Sequence, residues 1–261
     1  MSKTAVITGA TSGIGAAYAK RLAADGYDLI ITGRRKEIIE KLADDLSKQH
    51  DIKIEMIIAE LSDDKDIQKV VDAISSADDL EMLINNAGYY EVYKNCMEAE
   101  LTNHEKMIKV HQITPMRLIY AVLPTMTKNR KGSIINISSI GAYGVGPQVY
   151  IYAATKAFLK IFSEGLYLEL KDKGINVQVV CPPFVQTDFY RKLTDEQREE
   201  AFGAAKWFTI SSDALVNYSL KFLKKNKPIC LPGARYKFSA YLFQTMPRNL
   251  LYKMTAKMTE I

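Results

Sequence analysis

Apolar runs and amphipathic runs alternate along most of the chain. "AVITG" leads into the helix-period "GIGAAYAKRLAADG", and "YDLIITG" into "RRKEIIEKLADDLSKQ". "IKIEMIIA" precedes "SDDKDIQKVVDAIS", with Ser62 as the predicted N-cap. "LEMLINNAG" is a fourth strand, followed by one long helical region predicted over about 99–126. "GSIINISS" and "INVQVVCPP" are strands five and six, with a helix between them over about 149–171. A further helix after Ser212 leads to a short last strand, "PICLPG". Ile/Val-rich strands, each followed by a helix, predict a parallel sheet covered on both faces. Right-handed crossovers make it doubly wound, a Rossmann-type α/β fold. There is no linker-like or repetitive stretch, so a single domain spans 1–261. Within it, 183–210 is the expected substrate loop after strand six, and 234–261 a helical, basic C-terminal extension.

The first strand-to-helix turn, "TGATSGIG", sets Gly9, Gly13 and Gly15 where a dinucleotide fingerprint belongs. Glycines let the backbone approach a pyrophosphate at the helix N-terminus. Ser12 and Ile14 complete the expected cradle, and no lysine follows to make a P-loop. The second strand ends Gly33-Arg34-Arg35. An NAD site wants a carboxylate there for the ribose 2′-hydroxyl; two guanidinium groups suit a 2′-phosphate instead. Positive charge at a helix N-terminus also opposes the helix dipole unless an anion binds. NADP(H) is therefore favoured over NAD(H). A small-residue packing turn and a solvated basic helix start are the plainer readings of these two features.

Composition narrows the setting. With 261 residues, 48% of them hydrophobic, the chain can bury a substantial core. Cys96, Cys181 and Cys230 are too scattered for a disulfide framework or a metal site. Strand character begins almost at the first residue, which leaves no room for a signal peptide, and no apolar run suits a bilayer span. A cytoplasmic location is expected. The net charge is +5, but 221–261 carry nine Lys or Arg and one acid, Glu260. This tail is expected to pack on the domain or at an oligomer interface, in preference to an anionic membrane surface. No nucleic-acid motif accompanies it, so nucleic acid is not an expected partner.

Five motifs in order resemble the short-chain dehydrogenase/reductase family. They are "TGATSGIG", "NNAG" (Asn85 to Gly88), "NISS", "YAATK" (Tyr152 to Lys156) and "CPPFVQT". The resemblance covers Thr4 to about Asp188 and implies an oxidoreductase acting on a small-molecule substrate, expected as a homo-oligomer. Its serine lies thirteen residues before its tyrosine, which selects Ser139 and Tyr152, with Lys156 as the lysine. Starting instead from Tyr150 reaches Ile137, and puts Ala154 in the lysine's place. Tyr152 is then the expected acid or base, Ser139 holds the substrate oxygen, and Lys156 also binds the nicotinamide ribose. Tyr150 and Lys160 read as a neighbour and a plain helix lysine. A positive charge about 5 Å away, at an effective dielectric of about 20, favours tyrosinate by roughly 3 kcal/mol, or about two pKa units. Asn86, Ala87 and Gly88 are expected on the adenosine side, and Thr187 near the carboxamide.

The chain departs from that pattern in three places. The usual relay asparagine is His111, thirteen residues before Pro124; it could hold a water and titrate near neutrality, or simply pack. Pro183 stands where a glycine is usual after strand six, and Glu60 where an aspartate is usual near adenine. Tyr89, Tyr90, Tyr93, Tyr143, Phe184, Phe189, Tyr190, Trp207 and Phe208 are expected to border the substrate. So many rings suit a bulky, mostly apolar ketone or secondary alcohol, steroid-like or acyl, although any one ring taken singly is more simply read as packing under a lid. The rival from another class is a non-catalytic NADP-binding redox sensor or scaffold.

Overall fold

The computed structural model describes residues 3–90, 96–97, 99–185 and 209–256. Six strands, β1 (Lys3–Ile7), β2 (Tyr27–Gly33), β3 (Ile54–Ile58), β4 (Leu80–Asn85), β5 (Gly132–Ile137) and β6 (Ile175–Val180), precede a two-strand ribbon, β7 (Phe184–Val185) and β8 (Thr209–Ile210). A last strand, β9 (Ile229–Cys230), completes the main sheet. That sheet is parallel throughout, in the order β3-β2-β1-β4-β5-β6-β9. The order reverses between β1 and β4, the switch point where such sheets open a crevice beyond their carboxyl ends.

The helices are α1 (Gly13–Ala24), α2 (Lys36–His50), α3 (Asp64–Ser75), α4 (Leu101–Ile108), α5 (Thr114–Asn129) and α6 (Tyr150–Leu170). They continue with α7 (Ser212–Leu223), α8 (Ala234–Thr245) and α9 (Arg248–Ala256). Strand side chains alternate between faces, so β1 sends Ala5 and Ile7 toward Tyr18, Leu22, Ile39 and Leu215. Val6 goes the other way, into a core with Ile67, Val70, Leu118 and Val122. The two cores hold helices on both faces of one sheet, a Rossmann-type single domain as the alternation predicts.

Two local expectations are corrected. Asp63, not Ser62, caps α3; its carboxylate accepts from the amides of Lys65 and Asp66 at 2.8 and 3.2 Å. The long helix over 99–126 is instead α4, a π-turn at Lys109–Ile113, and α5. Pro115 has no N–H to donate to the carbonyl of residue 111, so the ladder widens there. The tail breaks at Pro247, between α8 and α9. Among the described residues no helix is long and apolar enough to cross a membrane, and no cluster could hold a metal ion.

Candidate active site

A cavity of about 740 Å³ opens beyond the carboxyl ends of β1, β2, β4 and β5. The glycine turn forms its floor. Gly9 and Gly13 hold φ of +68° and +56°, and a Cβ on Gly9 would lie 2.9 Å from the Ala87 Cα. A Cβ on Gly15 would meet the Gly9 carbonyl oxygen at 2.3 Å. Thr8 and Asn86 brace this turn: Thr8 Oγ1 accepts from the amides of Asn86 and Ala87, each at 3.0 Å. Asn86 Nδ2 donates to the carbonyls of Thr8 and Gly9 at 2.9 and 3.1 Å. Ser12 is extended and makes no side-chain cap, leaving the α1 amino end without one. The close backbone approach and this helix end fit the pyrophosphate of a dinucleotide. Ser12, Gly13, Ile14, Asn86, Ala87 and Gly88 line the cavity, with Gly15 packed behind them.

Arg34 and Arg35 line the same cavity, but neither guanidinium is unengaged. Arg34 Nη1 donates to Glu60 Oε2 at 2.9 Å; Arg35 Nη2 donates to the Thr11 carbonyl and Oγ1 at 3.2 and 3.1 Å. Burial alone would raise the Glu60 carboxyl, yet Arg34 and Ser62 hold it below the usual carboxylate range. The sequence places two arginines here; it does not reveal that Glu60 competes for one of them.

At the other end stand Ser139, Tyr152 and Lys156. Ser139 follows β5 and opens the 3-10 turn Ile140–Tyr143; its hydroxyl accepts from the Gly141 amide at 3.0 Å, and a Cβ on Gly141 would lie 3.4 Å from that hydroxyl and 3.8 Å from Tyr152 Cε1. Ser138 faces the other way, donating to the Lys156 carbonyl at 2.7 Å. Lys156 is buried, and its ammonium donates to the Ile137 carbonyl at 2.9 Å, 5.7 Å from the Tyr152 ring centre. Burial brings Lys156 down to about 8. Burial likewise raises the Tyr152 phenol, with Ser139 opposing the shift. The expected two-unit depression of Tyr152 is therefore corrected. The enclosure that desolvates the phenolate also weakens the cation meant to favour it.

His111 sits in the π-turn, wholly buried. Its Nε2 accepts from the Tyr89 amide at 3.1 Å, which puts the proton on Nδ1, 2.9 Å from Thr155 Oγ1. Thr155 in turn donates to the Tyr152 carbonyl at 2.8 Å. Burial, then the Lys156 charge, hold the imidazole well below its usual value, so it stays neutral. It does not titrate near neutrality, and both ring nitrogens have protein partners. A Cβ on Gly88 would come within 3.0 Å of Nε2 and 3.5 Å of Lys156 Nζ, so glycine keeps this corner open.

The "short chain dehydrogenase" family matches residues 3–198 of this chain. The chain belongs to that family. It is 31% identical over 260 residues to a very-long-chain 3-oxoacyl-CoA reductase of Anas platyrhynchos, covering 97% of this chain and 78% of the relative. It is similar to a short-chain dehydrogenase from Sphingobium yanoikuyae in complex with NADPH, at 30% identity and TM-score 0.82, over 92% of each chain. A bulky-bulky ketone specific alcohol dehydrogenase from Comamonas testosteroni aligns at 29% identity and TM-score 0.79, over 99% of this chain and 94% of that one.

In this short-chain dehydrogenase several residues differ from their sequence reading. Lys160 is not a plain surface lysine: it is buried, paired with Glu164 at 2.6 Å, its ammonium 5.0 Å from the Tyr143 ring centre. The i,i+4 spacing of Lys160 and Glu164 was the available signal. Tyr150 turns away from Tyr152 and meets His104 edge-on at 5.7 Å. Of the predicted substrate-side rings, Tyr89 and Tyr90 line the cavity, and Tyr90 meets Tyr152 edge-on at 5.2 Å. Tyr143 instead packs into a small core with Val179, Cys181 and Tyr236. Pro182 and Pro183 line the cavity without positive φ. Thr187, Tyr93, Phe189, Tyr190, Trp207 and Phe208 lie outside the described residues.

Proposed function

We propose that this oxidoreductase of the short-chain dehydrogenase family is an NADP(H)-dependent reductase of bulky, mostly apolar ketones, or a dehydrogenase of the matching secondary alcohols. The observation that carries the chemistry is that Ser139, Tyr152 and Lys156 line one cavity, with Lys156 one helical turn beyond Tyr152. The glycine turn with Ser12 and Ile14 would cradle the cofactor, with Ala87 and Gly88 beside it. Arg34 and Arg35 would meet a 2′-phosphate, Lys156 the nicotinamide ribose, and Thr187 the carboxamide. When bound, the cofactor supplies hydride. Ser139 holds the substrate oxygen. Tyr152 gives its proton to the alkoxide that forms there, and Lys156 returns a proton to the phenolate. Reduction needs a protonated phenol, and burial keeps Tyr152 in that form. His111 serves as a positioning residue that ties Tyr89 to the Tyr152 turn.

The bulky substrate class is supported by the Tyr89 and Tyr90 rings beside Tyr152, and by the similarity to the very-long-chain 3-oxoacyl-CoA reductase and the bulky-bulky ketone specific alcohol dehydrogenase above. Buried, unpaired Cys181 and Cys230 suit a reducing, cytoplasmic setting. Exposed Tyr120 on α5, with Ile161 and Leu168 on α6, offers an apolar face for a homo-oligomer.

Replacing Tyr152 by Phe tests the assignment. NADPH oxidation with a panel of steroid, acyl and small ketones should fall by roughly 10²-fold or more, while 2′,5′-ADP binding is kept. Unchanged turnover would refute Tyr152 as the acid. A wild-type protein that binds 2′,5′-ADP but turns over no ketone would point to a non-catalytic NADP-binding protein.

A further inference from the structure

From Ala214 to Thr259 the chain has no aspartate or glutamate, and nine lysines or arginines. α8 buries Tyr236 and Ala240 against Tyr143, Cys181 and Leu231. At about 100° per residue, Phe238, Tyr241 and Leu242 fall on the opposite side of the helix. They are exposed, Phe238 by 67% and Tyr241 by 64%. Arg235 and Lys237 flank this stripe on its two sides, both exposed. The helix is thus apolar on the face turned to the domain and apolar again on the face turned outward. α9 repeats the mixture: Leu250, Tyr252 and Met254 are exposed beside Arg248 and Lys253.

We propose that the outer face of α8 and α9 docks this protein on an anionic lipid surface. Aromatic and aliphatic side chains framed by cations match the boundary between headgroups and acyl chains. Lysine and arginine stems can lie along that boundary with their charges at the phosphates. A second copy of the chain fits this face less well. A two-fold contact sets a patch against itself, here cations against cations with no acid among residues 214–259. The exposed Tyr120, Ile161 and Leu168 lie on a separate pair of helices, with Glu169 exposed nearby, and suit copy-to-copy contact better. The inner face of α8 packs on the 3-10 turn that follows Ser139. Docking would therefore bring the turn directly behind Ser139 to the membrane, an arrangement that suits the apolar substrate proposed above but does not depend on it.

Co-sedimentation of the full chain decides the matter, using phosphatidylcholine vesicles with and without about one-third phosphatidylglycerol. Binding is expected only with phosphatidylglycerol, and should be lost as ionic strength rises. Changing Lys237 and Lys253 to Gln should weaken it roughly tenfold or more. Phe238→Ser with Tyr241→Ser should weaken it too, each variant checked for native circular dichroism and unfolding temperature. Absent binding would overturn the proposal, as would equal, salt-insensitive binding to both vesicle types. So would self-association of the wild type that the Phe238/Tyr241 variant abolishes, or selective binding to DNA rather than vesicles.

Discussion

Glu60 and His111 carry the specific chemistry of this chain at the scale of single residues. Glu60 holds Arg34 in the cavity where a 2′-phosphate would also need it. Gln at position 60 can still accept from Ser62 and pair with Arg34, but removes a negative charge. Glu60→Gln should therefore tighten 2′,5′-ADP and NADPH roughly tenfold while NADH changes little, a shift of about 1.4 kcal/mol readable by titration calorimetry. Equal effects on both cofactors would show that Glu60 does not discriminate. His111 is neutral in the fold, with its value held well below the ordinary 6.5, whereas the unfolded chain binds the proton at that ordinary value. Below about pH 6.5 the unfolded state binds more protons, so this residue's stability contribution is present above that pH and lost as pH falls. Urea unfolding should weaken by up to about 1.4 kcal/mol per pH unit there from this group, and His111→Gln should flatten that part of the slope.

The element that matters most for the site is the π-turn between α4 and α5. Pro115 opens it by lacking a donor for the carbonyl of residue 111, and the widened turn puts His111 against Tyr89 and Thr155. Restoring the donor with Pro115→Ala should let the α-helical ladder close. The variant should unfold at the same temperature or higher, yet turn over ketones roughly tenfold more slowly, because His111 loses its bridge to the Tyr152 turn. Unchanged kcat with a regular helix would detach the π-turn from function. A periodicity reading runs straight through this segment, since its apolar spacing is helical. The proline was visible, but two prolines sit in this region, and at Pro124 α5 continues through. Which one breaks the ladder depends on what the freed carbonyl and the neighbouring side chains can reach.

Over the whole molecule, strand order and the switch point between β1 and β4 gather residues far apart in sequence into one cavity. Exposed Ile161 and Leu168 on α6 should lie in the interface if the protein self-associates. Ile161→Lys with Leu168→Glu should then lower the sedimentation coefficient toward that of a monomer, and no change would move the interface elsewhere.

The sequence alone determined the α/β alternation and the glycine turn, each encoded locally by strand and helix period or by a short motif with its own backbone demand. The choice of Ser139, Tyr152 and Lys156 rested on the resemblance to a family. Only the tertiary structure decided how those groups are charged and occupied. It buried Lys156 and Tyr152 together, locked His111 in one tautomer, gave Arg34 to Glu60, and sank Lys160 beside Tyr143. Desolvation and hydrogen-bond competition depend on neighbours brought from distant elements, and no periodicity along the chain carries that information.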